Sequence, residues 1–225
     1  MPIKQVLSLL IKVDWIKTFY FNFKYFPILV AIHLPCFIFR KTVLFQMGGQ
    51  IILKSTPKTG MVKIGSHCLG IKDVNSSTMW DVSGTLIIKG KASIGRGSGI
   101  SIASGAVLEL GEFFTITGNS SIVCHKEITF GADCLLSWDV QVMDTDLHSI
   151  VNSTGEIINT PRPVRIGNHV WIGCRNVILK GVTIADNIIV SANSTLTKSC
   201  SDSNCVISGS GKDVVVLKRN VNWVR

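Results

Sequence analysis

The sequence carries little charge for its length: charged residues make up 16% of 225 positions, against 46% hydrophobic. So much apolar material excludes a disordered chain. The charge present is lopsided, with 23 Lys and Arg against 14 Asp and Glu, a formal +9. That balance favours acidic partners. The basic residues are scattered, however, and no nucleic-acid-binding signature accompanies them, so a nucleic-acid partner is not expected. No CxxC pair occurs and the seven cysteines are odd in number. A disulfide framework is therefore excluded, and reduced thiols in a cytoplasmic setting are expected. No signal peptide is read at the N-terminus, where Lys12 and Asp14 interrupt the apolar stretch and no small-residue cleavage site follows. The uncharged run at residues 25–39 has 15 residues, two prolines and a histidine. It falls short of the roughly 20 apolar residues of a spanning helix.

What is present is a period of six. Residues 164–199 divide into VRIGNH, VWIGCR, NVILKG, VTIADN, IIVSAN and STLTKS. The third positions are Ile166, Ile172, Ile178, Ile184, Val190 and Leu196, all aliphatic. The first positions include Val164, Val170, Val182 and Ile188, and the fourth are small or polar, as at Gly167, Gly173, Ala185 and Ser191. A 3.6-residue helix does not repeat every six, and the residues are β-branched. Each six fits one short strand and one corner, three sixes to a coil. The aliphatic position points inward, and the small residue sits at a corner where a Cβ would crowd the backbone. Upstream the period is looser, at Ile88 and Ile94, Ile116 and Ile122, and Phe130, Leu136 and Val142.

The expected fold is thus all-β, a parallel β-helix over residues 48–210. Residues 1–47 lack the period and read as a helical and extended cap, and 211–225 as a closing tail. Val6, Leu9, Leu10, Val13 and Ile16 stand at helical spacing, and FNFKYFPILVAIHLPCFIFR reads as extended or broken around Pro27 and Pro35. The cap covers the open first coil. Its basic, aromatic character also suits peripheral contact with a membrane at its inner face.

The clearest break in the repeat is residues 144–163, a polar insert with Asp144, Asp146, His148 and Glu156. Such loops on rigid scaffolds concentrate function. Neutral imidazole can take a proton from a hydroxyl, and Asp144 or Asp146 stands near enough in sequence to orient it. Trp171, at a second position, points away from the coil interior.

The stretch VRIGNHVWIGCRNVILKGVTIADNIIVSANSTLTKS resembles the C-terminal repeats of the hexapeptide acetyltransferases. LLSWDVQVMDTDLHSI and the N-terminal KTFYFNFKYFPILVAIHLP resemble the bacterial polysaccharide O-acetyltransferases among them. The resemblance covers nearly the whole chain. It implies a left-handed coil, a homotrimer, and acetyl-CoA as co-substrate in the groove between subunits, with no metal required. His148 would be the general base and Trp171 would line the site. Gly173 and Cys174 would meet the CoA arm, Ala192, Thr197 and Lys198 the pantetheine or phosphates, and Lys218 the nucleotide end. The sequence departs from the family where Gly211 is followed by Lys212, Asp213 and Val214 instead of Gly-x-Pro-Ala, which bears on Lys218. The implied function is O-acetyl transfer to a sugar or glycan hydroxyl. Transfer to an amino-sugar amine, or of another acyl group, is the first alternative. A metal site built from His125, His148 and His169 and a non-catalytic scaffold are the lesser ones.

Overall fold

In the computed structural model, residues 9, 11–66 and 75–225 are described. The chain winds as the expected parallel β-helix. Strands one coil apart stack on one another in three sheets, of nine, seven and six strands among the described residues. We call these the β1, β2 and β3 sheets after the first strand of each: β1 Cys36–Ile38, β2 Thr42–Gln46 and β3 Gln50–Leu53. Every strand pair but the last is parallel, and β22 (Val214–Arg219) closes antiparallel on β21 (Cys205–Gly209).

The period of six maps onto the interior. Ile166, Ile172, Ile178, Ile184, Val190 and Leu196 are all buried, as are Ile88, Ile94, Ile116, Ile122, Phe130, Leu136 and Val142. Each stacks on its equivalent one coil away, Ile166 on Ile184, Ile172 on Val190 and Ile178 on Leu196. Burial of an aliphatic side chain contributes about 1.5–3 kcal/mol, so a continuous aliphatic column carries the fold. The corners need small residues because coils touch there: a Cβ on Gly167 would stand 2.8 Å from the backbone of Ala185.

Two expectations about the N-terminal region are corrected. The first coil begins at Cys36, ahead of the expected position 48, because β1 pairs β4 (Val62–Ile64) and β2 pairs β5 (Thr78–Val82). Residues 21–25, expected to be extended or broken, instead end helix α1 (Trp15–Tyr25), and α2 (Ile28–Ala31) follows Pro27. The Asp14 side chain caps α1 by accepting from Lys17 N. Thr18 and Asn22, one turn apart, face the end of the coil. Asn22 Nδ2 donates to Cys36 O at 2.7 Å, Asn22 Oδ1 accepts from Cys36 N at 3.0 Å, and Thr18 Oγ1 accepts from Ile38 N at 3.0 Å. Polar side chains thus satisfy the open edge of β1, which would otherwise pair with another chain. Val13 packs with Phe37 and Phe39, with Leu9 beside them, whereas Ile16 is 84% exposed. Val6 and Leu10 lie outside the described residues, as does Cys68.

Candidate active site

The insert 144–163 leaves the coil between β14 (Gln141–Met143) and β15 (Val164–Ile166), at the corner from the β2 to the β3 sheet. Its two aspartates hold its base. Asp144 is wholly buried, and its carboxylate accepts backbone N–H bonds from His125, Lys126 and Glu127, each at 2.7 Å. Asp146 forms an ion pair with Lys180 and accepts from Asn159 Nδ2 at 2.8 Å. Those hydrogen bonds, led by the Lys180 ammonium, hold the Asp146 carboxyl below the usual range. Neither aspartate bonds to a ring nitrogen of His148, contrary to the expectation that one would orient the imidazole. The carboxylates are drawn instead to backbone donors and to a lysine that the coil presents.

His148 is fixed through its backbone. Its N–H donates to Asp146 O at 2.7 Å and its carbonyl accepts from Asn159 Nδ2 at 2.8 Å. Leu147 before it holds φ +64, the left-handed region that a γ-branched residue enters at a cost of about 1–2 kcal/mol. Local strain of this kind persists where the surroundings over-determine it. The imidazole is exposed and has no hydrogen-bond partner among the described residues. It lines a 210 Å³ pocket with His125, Thr145, Ser149, Asn159 and Pro161. His125, Asn159 and Lys180 were not singled out as site residues in this setting. Lys180 alone had a signal: it stands 18 residues, one coil, before Lys198.

The remaining expected residues are distributed over three parts of the coil. Trp171 lies on β16 (Trp171–Ile172) of the β1 sheet, points outward, and donates from Nε1 to Ser137 Oγ at 3.0 Å. Gly173 and Cys174 form the corner from the β1 to the β2 sheet. Ala192 stacks there one coil on, with Asn193 N donating to Cys174 O at 2.9 Å. Thr197 and Lys198 occupy the insert's own corner, where Thr197 donates to Gly211 O and Lys198 pairs with Asp213 at 3.0 Å. Lys218 is on β22, exposed. Within one chain these groups do not converge on one pocket.

A second constellation sits on the corner from the β3 to the β1 sheet. His169 Nδ1 meets Asp133 Oδ2 at 2.7 Å, while Nε2 faces Asn222 Oδ1 and the Trp223 carbonyl. Arg225 donates to the other Asp133 oxygen at 2.6 Å. Burial opposes ionisation of Asp133, but the bonds from His169 and Arg225 outweigh it, and its carboxyl stays below the usual range. His169 is therefore committed to the tail and separate from the pocket that His125 and His148 share, so the three histidines do not form one set of ligands. Burial pushes the thiols of Cys124 and Cys134 up to about 12, which removes them as nucleophiles.

Comparison with known proteins agrees with this architecture. Residues 163–198 match the family model described as bacterial transferase hexapeptide (six repeats). The galactoside O-acetyltransferase of Escherichia coli (strain K12) is 35% identical over 96 residues, 42% of this chain and 46% of that protein. The polysialic acid O-acetyltransferase of Neisseria meningitidis is 41% identical over 70 residues, 30% of this chain and 33% of that one. Among solved structures, a galactoside acetyltransferase in complex with coenzyme A aligns at 29% identity with a TM-score of 0.45, over 55% of this chain and 60% of that one. The chain spans less than half the length of the curated relatives it matches. Over residues 163–198, its C-terminal coils, the chain is similar to the bacterial transferase hexapeptide repeats.

Proposed function

We propose that the chain is an acetyl-CoA-dependent O-acetyltransferase that acts on a sugar or glycan hydroxyl, with His148 as general base. The observation that carries this reading is the state of His148. Its backbone is pinned on both sides, and its ring is exposed in a pocket on the polar insert 144–163 of a hexapeptide coil. The acetyl group of a thioester is already activated, so the enzyme mainly brings hydroxyl and acyl carbon together. As the hydroxyl oxygen attacks, His148 takes its proton. The tetrahedral oxyanion is stabilised by a backbone N–H at a coil corner. The C–S bond then breaks, and the leaving thiolate recovers the proton from His148. Asp144 and Asp146 serve by holding the loop that presents His148.

The coil can accept coenzyme A without rearrangement. The Lys198–Asp213 pair is well exposed and worth at most about 1 kcal/mol, so a phosphate can displace the carboxylate. Cys174 is half-exposed and meets its neighbour through its carbonyl, a contact that does not depend on the side chain. Because Trp171, Cys174 and His148 face different sides of one chain, a homotrimer that joins these sides between neighbours completes the site.

Residues 1–47 also fit a peripheral membrane contact. Ile16, Phe19, Tyr20 and Phe23 form one exposed stripe of α1, and Ile28 and Leu29 on α2 and Ile32 at its C-cap are exposed as well. Lys12, Lys17 and Lys24 flank them, and no acidic residue lies in the helix. Exposed apolar patches on this scale mark interaction sites, and cations beside them suit an anionic lipid surface. No helix among the described residues is long and apolar enough to cross a membrane. Flotation with anionic liposomes, comparing wild type with the Ile16→Ser, Phe23→Ser, Leu29→Ser variant, tests the contact, and equal flotation of both rejects it. For the activity, the test is calorimetric titration of acetyl-CoA into wild type and His148→Ala, followed by acetyl transfer to a sugar panel. Binding by both with a 10²–10⁴-fold loss of turnover in the variant is expected. Failure of the wild type to bind acetyl-CoA refutes the reading.

A further inference from the structure

A groove of 820 Å³ runs along the outer face of the β1 sheet, over its N-terminal coils and away from the insert. Lys58, Lys63, Lys91, Phe113, Thr115 and Arg225 are among its lining residues. Lys63 on β4, Ser93 on β7 (Ala92–Ile94) and Thr115 on β10 (Phe114–Gly118) stand in direct register, one per coil. The rungs of this ladder are therefore about 4.8 Å apart, close to the length of one pyranose unit.

The groove is basic. Lys58, Lys63 and Lys91 have no ion-pair partner among the described residues. Arg225 is engaged with the lining carboxylate, Asp133, which it shares with His169. The groove's aromatic is placed against conformational preference. At this corner the left-handed residue is Asp133, His169 and Asn187 in later coils, and Phe113 in the groove, at φ +60. Polar residues tolerate that conformation better than an aromatic does. Phe113 is nonetheless 47% exposed, with the Lys91 ammonium 5.7 Å from its ring centre. Packing into the core does not explain a strained, half-exposed phenylalanine beside unpaired cations. A ligand that needs both a flat apolar face and positive charge does.

We propose that this groove binds a carboxylate-bearing sugar chain, with Phe113 stacked on the C–H face of one sugar ring. Lys58, Lys63 and Lys91 meet its carboxylates, and the Ser93 and Thr115 hydroxyls meet its hydroxyls. Resting on the acetyltransferase reading, this makes the acceptor an acidic glycan long enough to be anchored on the β1 sheet while another of its residues is acetylated. The expected coenzyme A residues, Gly173, Cys174, Ala192, Thr197 and Lys198, stand on other corners, so the two ligands would not compete.

The test measures equilibrium binding of oligogalacturonate and oligosialate to the full chain, against a neutral maltooligosaccharide of equal length. We expect a carboxylated oligosaccharide to bind, to weaken as salt rises, and to be undisturbed by saturating coenzyme A. Losing two charge contacts in Lys63→Glu, Lys91→Glu should weaken it about tenfold or more. Phe113→Ala should weaken it while leaving the melting temperature intact, and His148→Ala should bind as wild type does. The proposal is overturned if neither acidic chain binds better than the neutral one, if the lysine variant binds as wild type does, or if coenzyme A displaces the sugar. Coenzyme A binding and His148-dependent turnover are measured on the same preparations. If they persist while the acidic chains fail, only this proposal falls; if they are absent, the acetyltransferase reading falls on its own.

Discussion

The imidazole of His169 lies flat on the indole of Trp223, with ring centres 4.4 Å apart and planes 9° from parallel. The indole N–H donates to the His169 carbonyl at 3.0 Å, and the same ring reaches Trp171 at 6.1 Å. Together with Arg225, which bonds back to Thr115 and the Phe113 carbonyl, Trp223 straps residues 221–225 across successive coils of the β1 sheet.

Trp223→Ala removes the buried ring of that strap. We expect a loss of about 3 kcal/mol, at the lower end for a buried tryptophan, together with faster hydrogen exchange at Val221, whose amide is bonded to Asn204 O. Unchanged exchange and unchanged denaturation would mean that the strap holds without its indole.

Asp144→Ala removes the buried carboxylate that accepts from the backbone N–H groups of residues 125–127. A hydrogen bond to a charged group contributes about 1.5–3 kcal/mol, so the loss of three should exceed about 3 kcal/mol in urea denaturation. If Asp144 instead acted on the His148 ring, the variant would lose turnover and keep its stability.

The insert should loosen in acid. Asp146 and Asp133 both have carboxyls held below their ordinary range in the folded chain. A group depressed by folding stabilises the native state above its unfolded value, and that contribution is lost as pH falls through the folded value. Proteolysis within 144–163 should therefore accelerate as pH drops below the usual carboxylate range. Asp146→Asn should cleave readily at neutral pH and show a weaker pH dependence. A wild-type rate flat across that range would exclude the Asp146–Lys180 pair as the latch.

Among the described cysteines, Cys174 is the half-exposed one and the other five are buried. A thiol reagent should modify Cys174 first, with Cys36, Cys124 and Cys134 resisting until unfolding. Saturating acetyl-CoA should slow labelling at Cys174 if the corner beside it holds the cofactor arm. Equal labelling with and without acetyl-CoA would remove Cys174 from that site.

The coil was legible because its cause is local and repeated. An aliphatic residue every six places, followed by a small one, has one economical packing, and each third position from Ile166 to Leu196 turned inward as read. The insert was legible for the converse reason, as polar sequence where the period stops. The helix at Trp15–Tyr25 was not: beside Phe21 its buried face carries Thr18 and Asn22, polar residues whose use appears only once β1 stands opposite them.

By itself, then, the sequence determined the β-helix, its interior, the place of the insert and His148 as the residue of interest, since side-chain period and loop polarity are properties of the chain alone. Only the tertiary structure decided what each polar group bonds to. It gave Asp144 to the amides of residues 125–127, Asp146 to Lys180 and His169 to Asp133 and the tail, because those partners lie one or more coils away in sequence. Stacking brings such positions within hydrogen-bond distance, and no local pattern records which carboxylate a distant donor will claim.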